Sequence, residues 1–509
     1  MERTPPHDTF EAPEAPAPPL VPEGGEAGSL RTRTARGTLI NGAFMVTMQS
    51  LGLLKGFVVA AFLTRSEYGL WGLLVISLGT LTWLKEVGIA DKYVQQEDED
   101  QRLAYQKAFT VDLIANFALF TLTIVALPLF VGLYGEDDLL IPGLAIAAVL
   151  PIQAFRSATW IFYREMRYAR QRLLEAVDPI IAFVVTVALA IAGAGYWSLV
   201  IGYIAGSVAV ALVALVASPY RPAIRYDRGT VREYVSFSWP ILVAAGSGML
   251  IPQLSMIIGA RELGLAGVGV IALAGTVGAY TDRIDQLITW TLYPAICRVK
   301  DQTELLFEAF VKSNRLALMW GVPFGVAMTL FTADLVHYGI GEQWEDAIPI
   351  LQAFGLIAAA NHIGFNWTAF YSALGNTKPI GLGGPVALAA FLLAVIPLTL
   401  TVGLAGYAIG MAVMAGANLV LRTHFLKKLF PGFSMIAYSA RAIAPTLPAV
   451  GSVLLLRAAV PGRSLGSALA ELALYVVVTA AATWVLERSL LREIFGYLRG
   501  KRGGVLAPA

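Results

Sequence analysis

Runs of apolar residues, each closed by a short polar stretch, set the rhythm of this chain. They fall at about 38–63, 68–91, 109–134, 139–163, 173–194, 196–218, 236–260, 266–296, 312–338, 347–373, 379–402, 404–426, 437–460 and 466–487. A bilayer-spanning helix needs roughly 20 predominantly apolar residues, and every run meets that length. The pattern predicts an all-α polytopic membrane protein of about fourteen helices. Some neighbouring runs are separated only by small residues, at Gly193-Ala194-Gly195-Tyr196 and at Gly403, which predicts tight turns there. The expected division is a disordered tail over 1–36, a first lobe over 37–218 and a linker over 219–235. A second lobe follows over 236–430, then two further spans over 431–490 and a basic tail over 491–509.

Composition agrees with a bilayer as the main solvent. Apolar residues make up 57% of the 509 and charged residues 14%, against roughly a quarter in soluble domains. The mean hydropathy is +0.67. The net charge of +2 supplies no field for nucleic acid, so no nucleic-acid partner is expected. One cysteine, Cys297, and four scattered histidines argue against a disulfide, a metal or another cofactor. The first thirty residues hold seven prolines and six acids, and they lack the basic-then-apolar order of a signal peptide.

Where the basic residues fall sets the orientation. With the N-terminus in the cytoplasm, alternate loops carry Arg31, Arg33 and Arg36, then Lys92, Arg102 and Lys107, then Arg164, Arg167, Arg170 and Arg172. The same side continues through Arg221 to Arg232, Arg298 to Arg315, Lys378, Arg422 to Lys428, and Arg488 to Arg502. The opposite loops hold Arg65, Arg261, Arg457 and Arg463, a division of 27 to 4. Positive charge stays inside, so both termini are expected in the cytoplasm. The opposite loops are all short, which leaves no domain there for an enzyme site.

The chain also repeats itself. Glu67, Gly69, Leu70, Gly72, Val75 and Ile76 match Glu262, Gly264, Leu265, Gly267, Val270 and Ile271 at an offset of 195. Six spans lie between the copies, so the repeats run parallel, as in transporters built from two bundles. The expectation is two six-helix lobes plus two extra helices.

Ionised residues inside apolar runs cost at least about 2.5 to 3.5 kcal/mol on insertion scales, so they usually face a cavity or a partner. Lys55, Asp282 and Arg283 lie deepest. Lys85, Glu86, Asp112, Arg156, Glu175 and Asp178 lie nearer the basic loops, where snorkelling or simple pairing is the competing explanation. Asp282 and Asp285 share a helix face suited to a proton or cation, or they merely neutralise nearby bases. Asn361, His362 and Asn366 line one face of the tenth run, suited to substrate or to gluing helices together. Pro240 and Pro252 in the seventh run are candidate hinge positions. No Gly-rich phosphate loop, nucleophile elbow or paired-histidine motif is present, so no ATPase or hydrolase activity is expected.

Several stretches resemble the Wzx-like oligosaccharide flippases, the polysaccharide transporter family of the multidrug/oligosaccharidyl-lipid/polysaccharide exporter superfamily. They are Phe62-Leu-Thr-Arg65-Ser-Glu67-Tyr68-Gly69-Leu-Trp-Gly72, Gly88 before Tyr93-Val-Gln95, Tyr163-Arg-Glu-Met-Arg-Tyr168 and Gly195-Tyr-Trp197-Ser-Leu-Val200. Tyr293-Pro294-Ala295, Gly341-Glu-Gln-Trp344-Glu-Asp-Ala347-Ile-Pro349 and Ala373-Leu-Gly375 extend the resemblance into the second lobe. It implies transfer of a polyprenyl-pyrophosphate-linked oligosaccharide to the outer leaflet by alternating access, for surface polysaccharide assembly. A polymerase and glycosyltransferases would act beside it, membrane lipid would contact the polyprenyl tail, and the chain would work as a monomer. Lys55, Lys85, Arg156 and Arg283, with Asn361, His362 and Asn366, are the expected substrate-cavity residues. Asp282, Asp285, Asp112, Asp178 and Glu86 are the expected sites for H+ or Na+ coupling. Two alternatives remain: a cation-coupled multidrug antiporter of the same superfamily, and a membrane polysaccharide polymerase or ligase. A non-transporting scaffold would leave the deep charges without a purpose.

Overall fold

The computed structural model describes residues 24–83, 89–96, 98, 100–236, 250–376, 378–431, 433–460 and 462–492, with side chains from residue 41 onward apart from 83, 91, 283, 284, 287, 290, 291, 294 and 295. Those residues form helices joined by short turns, with no strand among them. Ten helices are long and apolar enough to cross a membrane, and the pair Met435–Ile443 and Thr446–Ala459, bent by 49°, passes the same test together.

Local chemistry ends the helices where the sequence changes character. Asp100 caps the Gln101–Tyr134 helix by accepting from the backbone N–H groups of Arg102 and Leu103, and Gly135 closes it at φ 78°. Ser464 and Ser467 form a reciprocal capping box on the Leu465–Leu486 helix.

Three expectations need correction. The first helix runs Gly24–Ala60, so part of the expected tail is helical; the last proline is Pro22, and nothing after it forbids the turn. The fourth run is broken into Leu140–Ala147, Leu150–Gln153, a 3-10 turn at Ala154–Ser157 and Ala158–Arg164. The tenth run breaks after Asn361, with Gly364 at φ 68°, and resumes at Trp367.

The two copies of the repeat pack against each other. A Cβ on Gly69 would lie 2.0 Å from the Leu265 carbonyl oxygen, and one on Gly269 would lie 2.0 Å from that of Arg65. The Arg65–Trp83 and Gly264–Arg298 helices therefore cross with backbones in contact, a geometry only glycine permits. Around this crossing the lobes share one apolar core, in which Tyr68, Leu73, Leu74, Val268, Ile271 and Trp344 are buried.

Polar bonds seal the same end. The Trp344 indole N–H donates to the Ala60 carbonyl at 2.8 Å, and its ring meets Tyr68 edge-on at 5.5 Å. Arg65 pairs with Asp346 across the lobes. In the other direction Arg261 donates to the carbonyls of Leu133 at 2.9 Å and Gly132 at 2.5 Å, capping the end of the first lobe's third helix. Gln253 bridges further, donating to Thr80 Oγ1 at 2.6 Å and accepting from Tyr134 at 2.8 Å.

At the arginine-rich end each lobe keeps its own core. Tyr93, Tyr105 and Phe109 of the first lobe cluster with Tyr234 of the linker, and Phe310, Phe370, Phe425 and Phe430 cluster in the second lobe. Among the described residues the lobes thus share a core at the Arg65 end, are bridged deeper by the Ser50 and Tyr280 hydroxyls at 3.2 Å, and keep separate aromatic cores at the arginine-rich end. The 219–235 linker folds back on the first lobe through Lys92–Glu233 at 2.5 Å and Lys107–Asp227 at 3.3 Å. The Thr230 hydroxyl and backbone N–H, with Lys107, push the Asp227 carboxyl down to about 2, so this clamp stays charged at any physiological pH. The last two helices dock on Thr303–Asp334 through Arg315–Glu487, through Tyr475 donating to the Pro323 carbonyl, and through Asp334 bonded twice by Arg463.

Candidate functional site

Among the described residues each lobe holds a cluster of titratable groups within its helices. In both cases it lies where the lobe's fourth helix is broken. Arg156 falls sixteen residues past Leu140 and His362 fourteen past Ile348, so both lie about 21 to 24 Å along their helices at 1.5 Å per residue.

In the first lobe the 3-10 turn carries Arg156 to Asp178 at 3.0 Å. Asp178 is held in place by close helix packing: Gly202 and Gly206 let the Trp197–Ala217 helix lie against Tyr168–Ile191, and a Cβ on Gly206 would stand 2.5 Å from the Asp178 carboxylate. Arg156, Asp112, Gln153, Trp160 and Glu175 line a polar cavity of about 280 Å³. Glu175 accepts from Arg172 at 2.5 Å and Gln171 at 2.9 Å, and Asp112 accepts from Asn116 at 3.1 Å. Gln153 donates to the Tyr203 hydroxyl at 2.9 Å. Lys55, half-buried on the first helix, lies in the field of the same Asp178. Lys55, Arg156, Asp112 and Asp178 thus gather in one region. Because Arg156 is 37% exposed, its guanidinium retains donors for an anion.

In the second lobe the helix break leaves backbone carbonyls that must be satisfied in a low-dielectric interior. Arg422 donates to those of Asn361 at 2.5 Å and Ile363 at 3.2 Å, and Asn314 donates to that of His362 at 2.9 Å. Asn366 donates to Ser313 at 2.8 Å. The His362 ring is 1% exposed and stacked over Gly321, where a Cβ would stand 2.4 Å from it. Its Nε2 faces Asp285 at 3.4 Å. Asp282 lies one turn away on the exposed side of the same helix. Asp282, Asp285, His362 and Asn366 therefore come together, with the Asn361 carbonyl among the groups that hold the break.

Lys85, Glu86 and Pro240 lie outside the described residues, as does the side chain of Arg283. Pro252 lies within Leu250–Ile258. Two residues that build the clusters are not apparent from sequence. Arg422 counts with the loop bases there, although its position inside an apolar run is the signal that marks it. Asn314 shows no pattern of its own.

Known proteins share both the sequence and the fold. The chain is 24% identical over 351 residues to the lipopolysaccharide biosynthesis protein WzxC of Escherichia coli (strain K12), covering 66% of this chain and 69% of that one. It is 23% identical over 311 residues to the succinoglycan biosynthesis transport protein ExoT of Rhizobium meliloti (strain 1021), covering 60% and 62%. Among solved structures, the lipid II flippase MurJ in an inward closed conformation superposes with a TM-score of 0.65 at 13% identity, over 89% of this chain and 99% of that one. An inward-facing multidrug resistance MATE family transporter of the MOP superfamily follows at 0.59 and 14%, over 77% and 100%. The family described as polysaccharide biosynthesis protein matches residues 58–349, more than half of the sequence and the stretch that contains the whole interlobe seal, and the chain belongs to that family.

Proposed function

We propose that this protein is a flippase that moves a polyprenyl-pyrophosphate-linked oligosaccharide across the bacterial cytoplasmic membrane by alternating access, for assembly of a surface polysaccharide of the O-antigen, exopolysaccharide or capsule type. The observation that carries the reading is the pair of polar clusters at matched depth in two lobes that, among the described residues, share a core toward the Arg65 end and keep separate aromatic cores at the arginine-rich end. Orientation by the positive-inside rule puts the divided, arginine-rich end in the cytoplasm, with both termini there and fourteen crossings in all. Substrate then enters from the side on which its sugars are assembled.

A pyrophosphate and a chain of hydroxyls cannot cross hydrocarbon unshielded. Arg156 and Lys55 offer charge to the pyrophosphate; Gln153, Asn366 and the acids offer partners to hydroxyls; the polyprenyl tail stays in lipid at the seam between the lobes. The reaction breaks no covalent bond, so no catalytic residue is assigned. The cleft lies within one chain, and a monomer suffices. The WzxC and ExoT names support transport in polysaccharide assembly, and the MurJ-like fold supports a lipid-linked cargo.

Purified protein in liposomes loaded with a fluorescent polyprenyl-pyrophosphate oligosaccharide tests the reading. Inner-leaflet label should reach a membrane-impermeant quencher at least about tenfold faster than in protein-free liposomes, a change equivalent to about 1.4 kcal/mol in the barrier. Equal rates would overturn it.

A further inference from the structure

His362 and Asp285 face each other in a way that neutral imidazole and carboxylate do not tolerate. The His362 Nδ1 lies 2.7 Å from the Ala358 carbonyl, which can only accept, so Nδ1 carries a hydrogen. In the neutral ring Nε2 is then a lone pair. It points at Asp285 Oδ1 at 3.4 Å, and an ionised carboxylate has only lone pairs to offer. Both atoms are sealed from solvent, and neither has another hydrogen-bond partner. Two unsolvated acceptors held together by a rigid helix break repel each other unless a proton lies between them.

We infer that Asp285 and His362 hold one shared proton, a proton-binding site in the second lobe formed by the break in its fourth helix. The surroundings suit exchange. Arg422 and Asp282 are the charges that act on Asp285, Arg422 from the Leu404–Leu429 helix and Asp282 from its own. The Thr303–Asp334 helix presents neutral Asn314 and Ser313, and Ile348–Asn361 brings no charge. Arg283, next along from Asp282, has its side chain outside the described residues. Asp285 retains 15% exposure and Asp282 lies on the exposed side, which gives the proton a way out. Release takes the proton from the pair to water and leaves neutral His362 opposite an Asp285 carboxylate. Repulsion between them then favours moving the helix break. In the proposed transport cycle this links protonation to lobe movement.

Infrared spectra of the purified full chain in lipid nanodiscs, taken from about pH 5 to about pH 9, test the inference. A protonated-carboxyl band should disappear with rising pH together with a change in the imidazole ring modes. Asp285→Asn should remove that band, and His362→Gln should move its midpoint by about one pH unit or more. Asp282→Asn should keep the band. Gel filtration confirms that each variant is folded. A band of unchanged size in Asp285→Asn, or an unmoved midpoint in His362→Gln, overturns the shared proton. The spectra need no substrate, so failure of the flippase reading and failure of this one are separately visible.

Discussion

Replacing Gly269 with leucine is expected to slow transport at least about tenfold while the protein still reaches the membrane. A Cβ there would lie 2.0 Å from the Arg65 carbonyl, and Gly69 meets Leu265 with the same clearance. Backbone cannot yield as a side chain can, so the crossing helices must separate. The shared core and the Trp344–Ala60 bond then open together. Every 1.4 kcal/mol lost from the sealed state shifts its population about tenfold, and overpacking of this kind costs about 1 to 3 kcal/mol or more. The individual lobes keep their cores, so insertion should survive. A fall in flipping of at least about tenfold is the expected result. In a Cys297→Ser background, a cysteine at the fully buried Ala60 should resist an impermeant maleimide and become reactive when Gly269→Leu is added. Unchanged labelling and unchanged flipping would show that this crossing does not seal the cleft.

Arg156→Ala is the second large effect expected. Removing the guanidinium leaves Asp178 without its partner beside Gly206 and Ala182. For fully buried pairs the penalty is about 3 to 5 kcal/mol, but exposures of 37% for Arg156 and 20% for Asp178 place this pair well below that range. Thermal stability should therefore drop modestly. Flipping should drop about ten- to a hundredfold, because a desolvated pyrophosphate loses a charge-assisted bidentate donor. Arg156→Lys should recover part of the rate. The double variant Arg156→Ala with Asp178→Ala separates the two roles: it should restore stability but not transport. Normal flipping in the double variant would mean that Arg156 serves only to neutralise Asp178.

Much of this molecule can be read from its sequence, because bilayer physics writes itself into hydropathy and loop charge. The turns after Ala60, Tyr134 and Ile191 fall where the apolar runs end. The structure adds that the two copies of the repeat at Glu67 and Glu262 touch. The two best-marked motifs turn out to be one feature, since Arg65, Tyr68 and Gly69 meet Asp346, Trp344 and Gly269 at the seal. The helix breaks were not legible. Pro142 and Pro151 are ordinary in membrane helices, and the polar residues of 361–366 read equally well as one face of an intact helix. Arg422 was hidden for a related reason: its partners are carbonyls freed by that break, and carbonyls leave no mark in a sequence.

The most direct test of the central claim is the lipid-linked glycan pool in cells depleted of this protein. Polyprenyl-pyrophosphate oligosaccharide should accumulate on the cytoplasmic face, wild-type protein should clear it, and Gly269→Leu or Arg156→Ala at equal membrane levels should not. An unchanged pool in depleted cells, accompanied by new sensitivity to cationic drugs, would contradict the account and point to a multidrug antiporter instead.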